Sequence, residues 1–376
     1  MEHYLDNAAT TKVCDEAAQA ALAAMTENYG NPSSTHTKGR EANRLLEKAR
    51  KQVSTALGCT PGELIFTSCG SESDNWAIIH GAEVMKRRGK HIISSAVEHD
   101  AVLRSLDELE SRGFAVTRLA PDEKGGISVD SVVSALRDDT ILVSLMLVNN
   151  ETGAVTDISS IAKAVKKACP AALVHTDAVQ GFMKVPFTAR TLGADMISVS
   201  GHKIHAPKGI GALYIKNGLK LKPFLVGGSQ ENGRRAGTEA MPQIAAFGAA
   251  CEIAHSGMAE NIARMQSLRE RAVERLCREI PELVLIGGGS PHILSISLPG
   301  WRSEVLMNYL EAQEVYVSRS SACKKGGRSH VLEAMGLSSR VIDGAIRIGL
   351  SRFTTEEDID ALCSALKDAH DTLAHR

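Results

Sequence analysis

The chain of 376 residues has almost no net charge: 43 Lys and Arg stand against 44 Asp and Glu, leaving −1. That balance excludes nucleic-acid binding by bulk charge and an acidic disordered tail. Any Cys-x-x-Cys pair is also missing. The eight cysteines (Cys14, Cys59, Cys69, Cys169, Cys251, Cys277, Cys323 and Cys363) are scattered through the chain. In a long chain this is reduced, intracellular usage and not a disulfide framework. The opening MEHYLDNAATTK has neither the basic nor the apolar region of a secretory signal. No apolar run approaches the roughly 18 residues of a membrane span, and the strongest, 141–148, is interrupted by Ser144. The expectation is a soluble, cytoplasmic protein with no membrane and no direct nucleic-acid partner. Fixed-period repeats and low-complexity segments are absent. So is a Walker A loop, because Gly89-Lys90 lacks both the earlier glycine and the Ser/Thr. No Gly-x-Gly-x-x-Gly follows a strand, which weakens nucleotide readings.

What is present is a hydrophobic fraction of 43% in a chain long enough for about two to three domains. Short apolar runs alternate with helical periodicity over the first two thirds. Helices are expected at 37–57, 71–86, 129–137 and 158–168. Strands are expected at 63–67, 91–94, 115–119, 140–148, 173–176, 196–200 and 212–215. Near-continuous apolar strands separated by helices imply an α/β fold, with a mainly parallel sheet covered on both faces. After about residue 238 come two long helices, 238–255 and 258–279, and then a smaller α+β section. That section comprises strand 293–298, helix 302–312, strand 314–318 and a last helix from Thr354. The expected division is a large domain, 13–250, and a small C-terminal domain, 251–376, joined by the N-terminal segment 1–12.

The informative signal is where the polar residues sit. Five apolar runs end in residues with chemical potential: Cys69-Gly70-Ser71-Glu72, Glu98-His99, Asn149-Asn150-Glu151, Asp177 with Gln180, and Gly201-His202-Lys203. Ligands of open α/β sheets bind beyond the carboxyl ends of the strands, so five such ends imply one site. Gly70 and Ser71 open a helix and suit an anion; Ser71 with Asp74 reads equally well as an ordinary N-cap. A lone lysine is usually a solvated charge. Lys203, however, lies at the strand-end cluster with a carboxylate and a phosphate cradle. That trio fits pyridoxal phosphate, which needs a Schiff-base lysine, a partner for its pyridinium nitrogen and a phosphate pocket. His175, Asp177, His202 and His205 could be read as a metal set, but their spacing is irregular and no metal is expected.

Ten stretches carry a resemblance: YLDNAATT (4–11), YGNPSSTH (29–36), FTSCGSESDN (66–75), EHDAVL (98–103), VNNETG (148–153), HTDAVQ (175–180), SGHKIHAPKGIGALY (200–214), GGSQENGRRAGTE (227–239), SSAC (320–323) and IRIGLSRFT (346–354). In this order they resemble the cysteine desulfurases among the class-V aminotransferases, fold-type I pyridoxal-phosphate enzymes. The resemblance implies that Lys203 carries the cofactor and moves the substrate Cα proton. It implies that His99 stacks on the ring, that Asp177 keeps the pyridinium protonated, and that Gln180 and Asn150 bond the ring and its oxygen. Gly70, Ser71, Ser200 and His202 would hold the phosphate. Thr238 would reach the neighbouring site of a homodimer, and Arg347, with Asn150, would clamp the substrate carboxylate. Cys323 would take sulfur from L-cysteine as a persulfide, leaving L-alanine, and pass it to an acceptor protein of cluster assembly or tRNA thiolation. One cysteine of eight is ordinarily a small buried hydrophobe. The surrounding SRSSACKKGGRS (318–329) is basic and rich in small residues, and reads as loop, not core. The family commonly has Ser-Gly where Arg319-Ser320 stand, a glycine at Cys69 and a histidine at Leu147. A selenocysteine lyase or another class-V aminotransferase is the alternative.

Overall fold

The computed structural model describes residues 2–319 and 327–373. Cys323 and its neighbours 320–326 lie outside them. A seven-stranded sheet runs in the order 64–67, 211–215, 196–200, 173–177, 140–144, 91–95, 115–119. Every neighbouring pair is parallel except the two made by 211–215, which runs against both 64–67 and 196–200. The other six strands therefore point the same way, and their carboxyl ends share one edge. The central strands are buried along their whole length, as expected when helices cover both faces.

Local signals account for most element limits. Helix Thr37–Leu57 starts where His36 Nδ1 accepts the Gly39 N–H and ends at Gly58, whose φ of 69° suits a residue without Cβ. Its buried Ala42, Leu46, Ala49, Val53 and Ala56 fall at helical spacing. Asp157 caps Ile158–Ala168 by accepting the Ser160 N–H at 3.0 Å. The strand expected over 140–148 is only Thr140–Ser144, because the chain then bends into the site. The helix expected over 71–86 begins at Gly70 and contains a π-helical stretch, Trp76–His80, flanked by α-helix. The run 314–318 divides: 315–316 pairs with 3–4, whereas 318–319 pairs with 345–349.

Apolar residues gather mainly around the two larger of the three sheets among the described residues. One group packs the large sheet against helices Asp15–Thr26, Thr37–Leu57 and Met241–Ser256. A second unites Leu5 with helices Met258–Glu279, Ser303–Glu311 and Glu356–Thr372. These cover an antiparallel sheet of order 318–319, 345–349, 293–297, 284–286. Among the described residues no helix is long and apolar enough to cross a membrane.

Candidate active site

Five of the six co-directed strands deliver polar residues to one cavity of about 300 Å³. From strand 64–67 come Gly70 and Ser71; from 91–95, Glu98 and His99; from 140–144, Asn150 and Glu151. Strand 173–177 brings Asp177 and Gln180, and 196–200 brings Ser200, His202 and Lys203. The reversed strand 211–215 brings none of these, since its carboxyl end lies at the opposite edge.

The small sheet supplies one wall. Along Ala345–Gly349, Ile346 and Ile348 enter the second core, while Arg347 between them faces the other way and lines the cavity. Its guanidinium donates to the Asn150 carbonyl at 2.6 Å, to Ser318 Oγ at 2.9 Å and to Asp6 Oδ1 at 3.2 Å. The N-terminal segment passes beneath Lys203, whose Nζ donates to the carbonyls of Ala8 and Ala9, both at 2.7 Å.

Each side chain is held in one state by its neighbours. His99 caps helix Asp100–Ser111, its Nδ1 accepting the Ala101 N–H at 3.1 Å. The neutral ring therefore carries its proton on Nε2. Asp177 accepts the Val179 N–H at 2.9 Å; burial pushes its carboxyl up, opposed by His99 and Lys203. Burial, Lys203, Lys184 and Lys208 hold the His202 imidazole down at about 4, so it is neutral at physiological pH. Gln180 Nε2 donates to the Ala8 carbonyl at 2.8 Å. Its Oε1 is buried without a hydrogen-bond partner among the described residues, as is Ser200 Oγ. A Cβ on Gly70 would stand 2.6 Å from Val179 Cγ2 and 3.6 Å from Ser200 Cβ.

These features fit pyridoxal phosphate. The orphaned Ser200 hydroxyl and the open face at Gly70 suit a phosphate, Asp177 suits a cationic ring nitrogen, and Lys203 is the amine beside them. Thr238 is exposed and does not line the cavity of its own chain. Cys323 lies outside the described residues.

Some residues that line the cavity had not been singled out for a role. Ser71 and Asp74 do not form the N-cap pair expected of them: the helix begins at Gly70, and Cys69, in the N-cap position, makes no side-chain capping bond. The Asp74 carboxyl is instead buried, pushed well up by desolvation and then by Asp177, with its Oδ1 3.6 Å from His175 Nε2. Burial raises Glu98 to about 8, and its Oε2 has no hydrogen-bond partner among the described residues. Burial raises Glu151 to about 7, with Ser329 Oγ donating to it at 2.5 Å. The positions of Glu98 and Glu151 at strand ends were visible in the sequence; the burial of these carboxyls and of Asp74 was not. His175 and His205 do not line the cavity. His175 bridges Ser144 and Ser198 inside the sheet, and His205 pairs with the Lys12 carbonyl.

A family model described as aminotransferase class V matches residues 3–362. A cysteine desulfurase IscS from Methanosarcina thermophila is 41% identical over 370 residues, covering 97% of this chain and 91% of that protein. A solved NifS-like protein superposes with a TM-score of 0.93 at 38% identity, covering 99% of this chain and 100% of the other. A structure described as SspA in complex with cysteine gives a TM-score of 0.81 at 31% identity, over 94% and 100% of the two chains.

Proposed function

The chain belongs to the class-V aminotransferases, and from that premise we propose that it is a pyridoxal-phosphate-dependent cysteine desulfurase. It converts L-cysteine to L-alanine, leaves the sulfur as a persulfide on Cys323 and passes it to an acceptor protein. The observation that carries this reading is the single cavity in which Lys203, His99, Asp177, Gln180, Ser200 and Arg347 meet.

Bound pyridoxal phosphate supplies an electron sink for the substrate Cα–H bond. Everything else is done by side chains. Ser71, Ser200 and His202 would hold the phosphate beside Gly70, with the His202 imidazole neutral. Asp177 would balance the protonated ring nitrogen, Gln180 and Asn150 would orient the ring, and His99 would stack on it. Arg347 is fixed by three acceptors before substrate arrives, so it binds the substrate carboxylate with little loss of freedom. Lys203 moves the proton at the substrate Cα.

The Cys323 thiolate then attacks the substrate sulfur. A sulfur–sulfur bond forms, the carbon–sulfur bond breaks with its electron pair going to carbon, and that carbon is protonated to give alanine. A thiolate needs a pKa below the free value of about 8.5, and Arg319, Lys324, Lys325 and Arg328 flank Cys323 in sequence. The reaction requires the reduced thiols of the cytoplasm. Thr238, exposed on its own chain, reaches the phosphate of a second copy in a homodimer.

The deciding experiment is turnover of L-cysteine by wild type and Cys323→Ala, scored as alanine and sulfide with dithiothreitol present. Cys323→Ala is expected to keep the cofactor's visible absorbance and to lose both products by more than about 100-fold. Full activity in that variant refutes the nucleophile. Absence of bound cofactor in wild type refutes the whole reading.

A further inference from the structure

One imidazole on the wall of the substrate cavity has no role in the reaction proposed above. His330 lines the same cavity as Lys203, His99 and Arg347. It is half-buried and opens the helix His330–Ala334, whose N-cap is Ser329. Three consecutive residues pin this corner to three different segments. Arg328 donates to both Asp343 oxygens, at 2.8 and 3.0 Å. Ser329 Oγ donates to Glu151 at 2.5 Å and accepts the Leu332 N–H at 3.1 Å. His330 Nε2 lies 3.1 Å from the Glu98 carbonyl oxygen. The imidazole is thus fastened to the segments that follow strands 91–95 and 140–144, the edge at which the other site residues gather.

The contact with Glu98 fixes the tautomer. A carbonyl oxygen can only accept, so Nε2 carries its hydrogen whether the ring is neutral or cationic. The ring therefore gains and loses its proton at Nδ1, which has no hydrogen-bond partner among the described residues. The two other imidazoles on the wall are committed. His99 Nδ1 accepts the Ala101 N–H, and His202 Nδ1 lies 3.2 Å from Thr10 Oγ1. The reaction meanwhile has a proton with no assigned carrier. Substrate enters with a thiol hydrogen, and the carbon released from sulfur must gain one. Lys203 serves Cα, a different carbon. An imidazole takes and gives a proton near neutral pH, and sulfur and the carbon bonded to it lie within reach of one such group.

We propose that His330 is a further catalytic residue, the acid–base group that moves the substrate's thiol proton to the adjacent carbon. As the Cys323 sulfur bonds to the substrate sulfur, Nδ1 takes the S–H proton. As the carbon–sulfur bond breaks with its electron pair going to carbon, Nδ1 gives that proton to the same carbon. The persulfide is left as an anion, the imidazole returns to neutral, and no acid is drawn from solvent. This role presupposes the desulfurase reaction.

The test compares wild type with His330→Gln, both loaded with pyridoxal phosphate. Glutamine keeps an N–H for the Glu98 carbonyl but cannot relay a proton. In a single turnover of L-cysteine, alanine is quantified and the persulfide on Cys323 is read by mass. In parallel, Cα–H exchange of L-alanine in D2O is followed by NMR, a step that needs Lys203 and Arg347 but breaks no carbon–sulfur bond. His330→Gln is expected to slow alanine and persulfide formation about 100- to 10,000-fold. It should keep the cofactor absorbance, the Tm and the exchange rate of wild type. Alanine formation at the wild-type rate in His330→Gln overturns the proposal. So does an equal loss of Cα exchange, which marks a structural role. Wild type that makes no alanine from L-cysteine refutes the desulfurase reading itself, and this role with it.

Discussion

Glu98 shows how burial alone sets a residue's chemistry. Ser95 Oγ donates to its Oε1 at 2.5 Å and the Met146 N–H at 3.2 Å, yet desolvation wins and the group titrates near 8. A carboxyl with a raised folded pKa favours the fold below its unfolded value of 4.5, and that contribution is lost as pH rises towards 8. The cofactor-free protein should therefore lose stability between pH 5 and 8 through this group, while Glu98→Gln, neutral throughout, should lose less. Glu151 acts in the same direction and Lys184, whose pKa is lowered, in the opposite one. The measurement is Tm against pH for wild type and variant. A difference of a few degrees that opens above about pH 5 and stops growing near pH 8 is expected, on the scale of about 2–4 °C per kcal/mol. Parallel curves would refute it. At the same scale, Lys203→Ala should abolish the borohydride-reducible attachment of pyridoxal phosphate, read by mass; a persisting adduct at another lysine would overturn its assignment.

At the scale of elements, the loop from strand 64–67 into its helix depends on Gly70. Alanine there brings a methyl group to 2.6 Å from Val179 Cγ2, and overpacking of that kind costs about 1–3 kcal/mol. Since Val179 follows Asp177, the displacement should weaken pyridoxal-phosphate affinity about 10- to 100-fold by fluorescence titration while the chain stays folded. A second element depends on a buried ion pair. Arg50 donates to Glu231 at 2.6 and 2.8 Å and to the Leu64 carbonyl at 3.0 Å, and Glu231 also accepts the Phe66 N–H. Glu231, at a φ of 47°, is thereby tied to the edge strand and anchors the segment that carries Thr238. Glu231→Ala strands a buried guanidinium and should cost about 3–5 kcal/mol in denaturant unfolding. A loss below about 1 kcal/mol would show that the pair is solvated.

At the scale of the whole molecule, Arg347 joins the small sheet to the large one through Asn150, and to the N-terminal segment through Asp6. Arg347→Lys keeps the charge but cannot reach three acceptors in one plane. It should raise KM for L-cysteine more than it lowers kcat, and lower Tm as well. An unchanged KM would remove Arg347 from substrate binding.

Local chemistry made many elements legible. Helix 158–168 and strands 115–119 and 196–200 lie where periodicity and turn residues put them. The strand-end polar clusters were legible too, since a sheet of co-directed strands has only one carboxyl edge. The π-helical stretch 76–80 was not, because its residues carry no local signal for an i→i+5 bond. Nor was the direction of 211–215, whose apolar run reads alike from either end.

Composition, periodicity and the ten motif stretches by themselves determined the fold class, the family and the edge of the sheet at which chemistry occurs. Those properties follow from residue type and chain order. Tertiary structure alone decided which ionisable groups are stripped of water together. It gathered Asp74, Asp177 and Glu98 around one cavity and buried the Lys184 ammonium where no acceptor reaches it among the described residues. Desolvation is a property of the enclosed volume, set by segments far apart in the chain, and no single stretch encodes it.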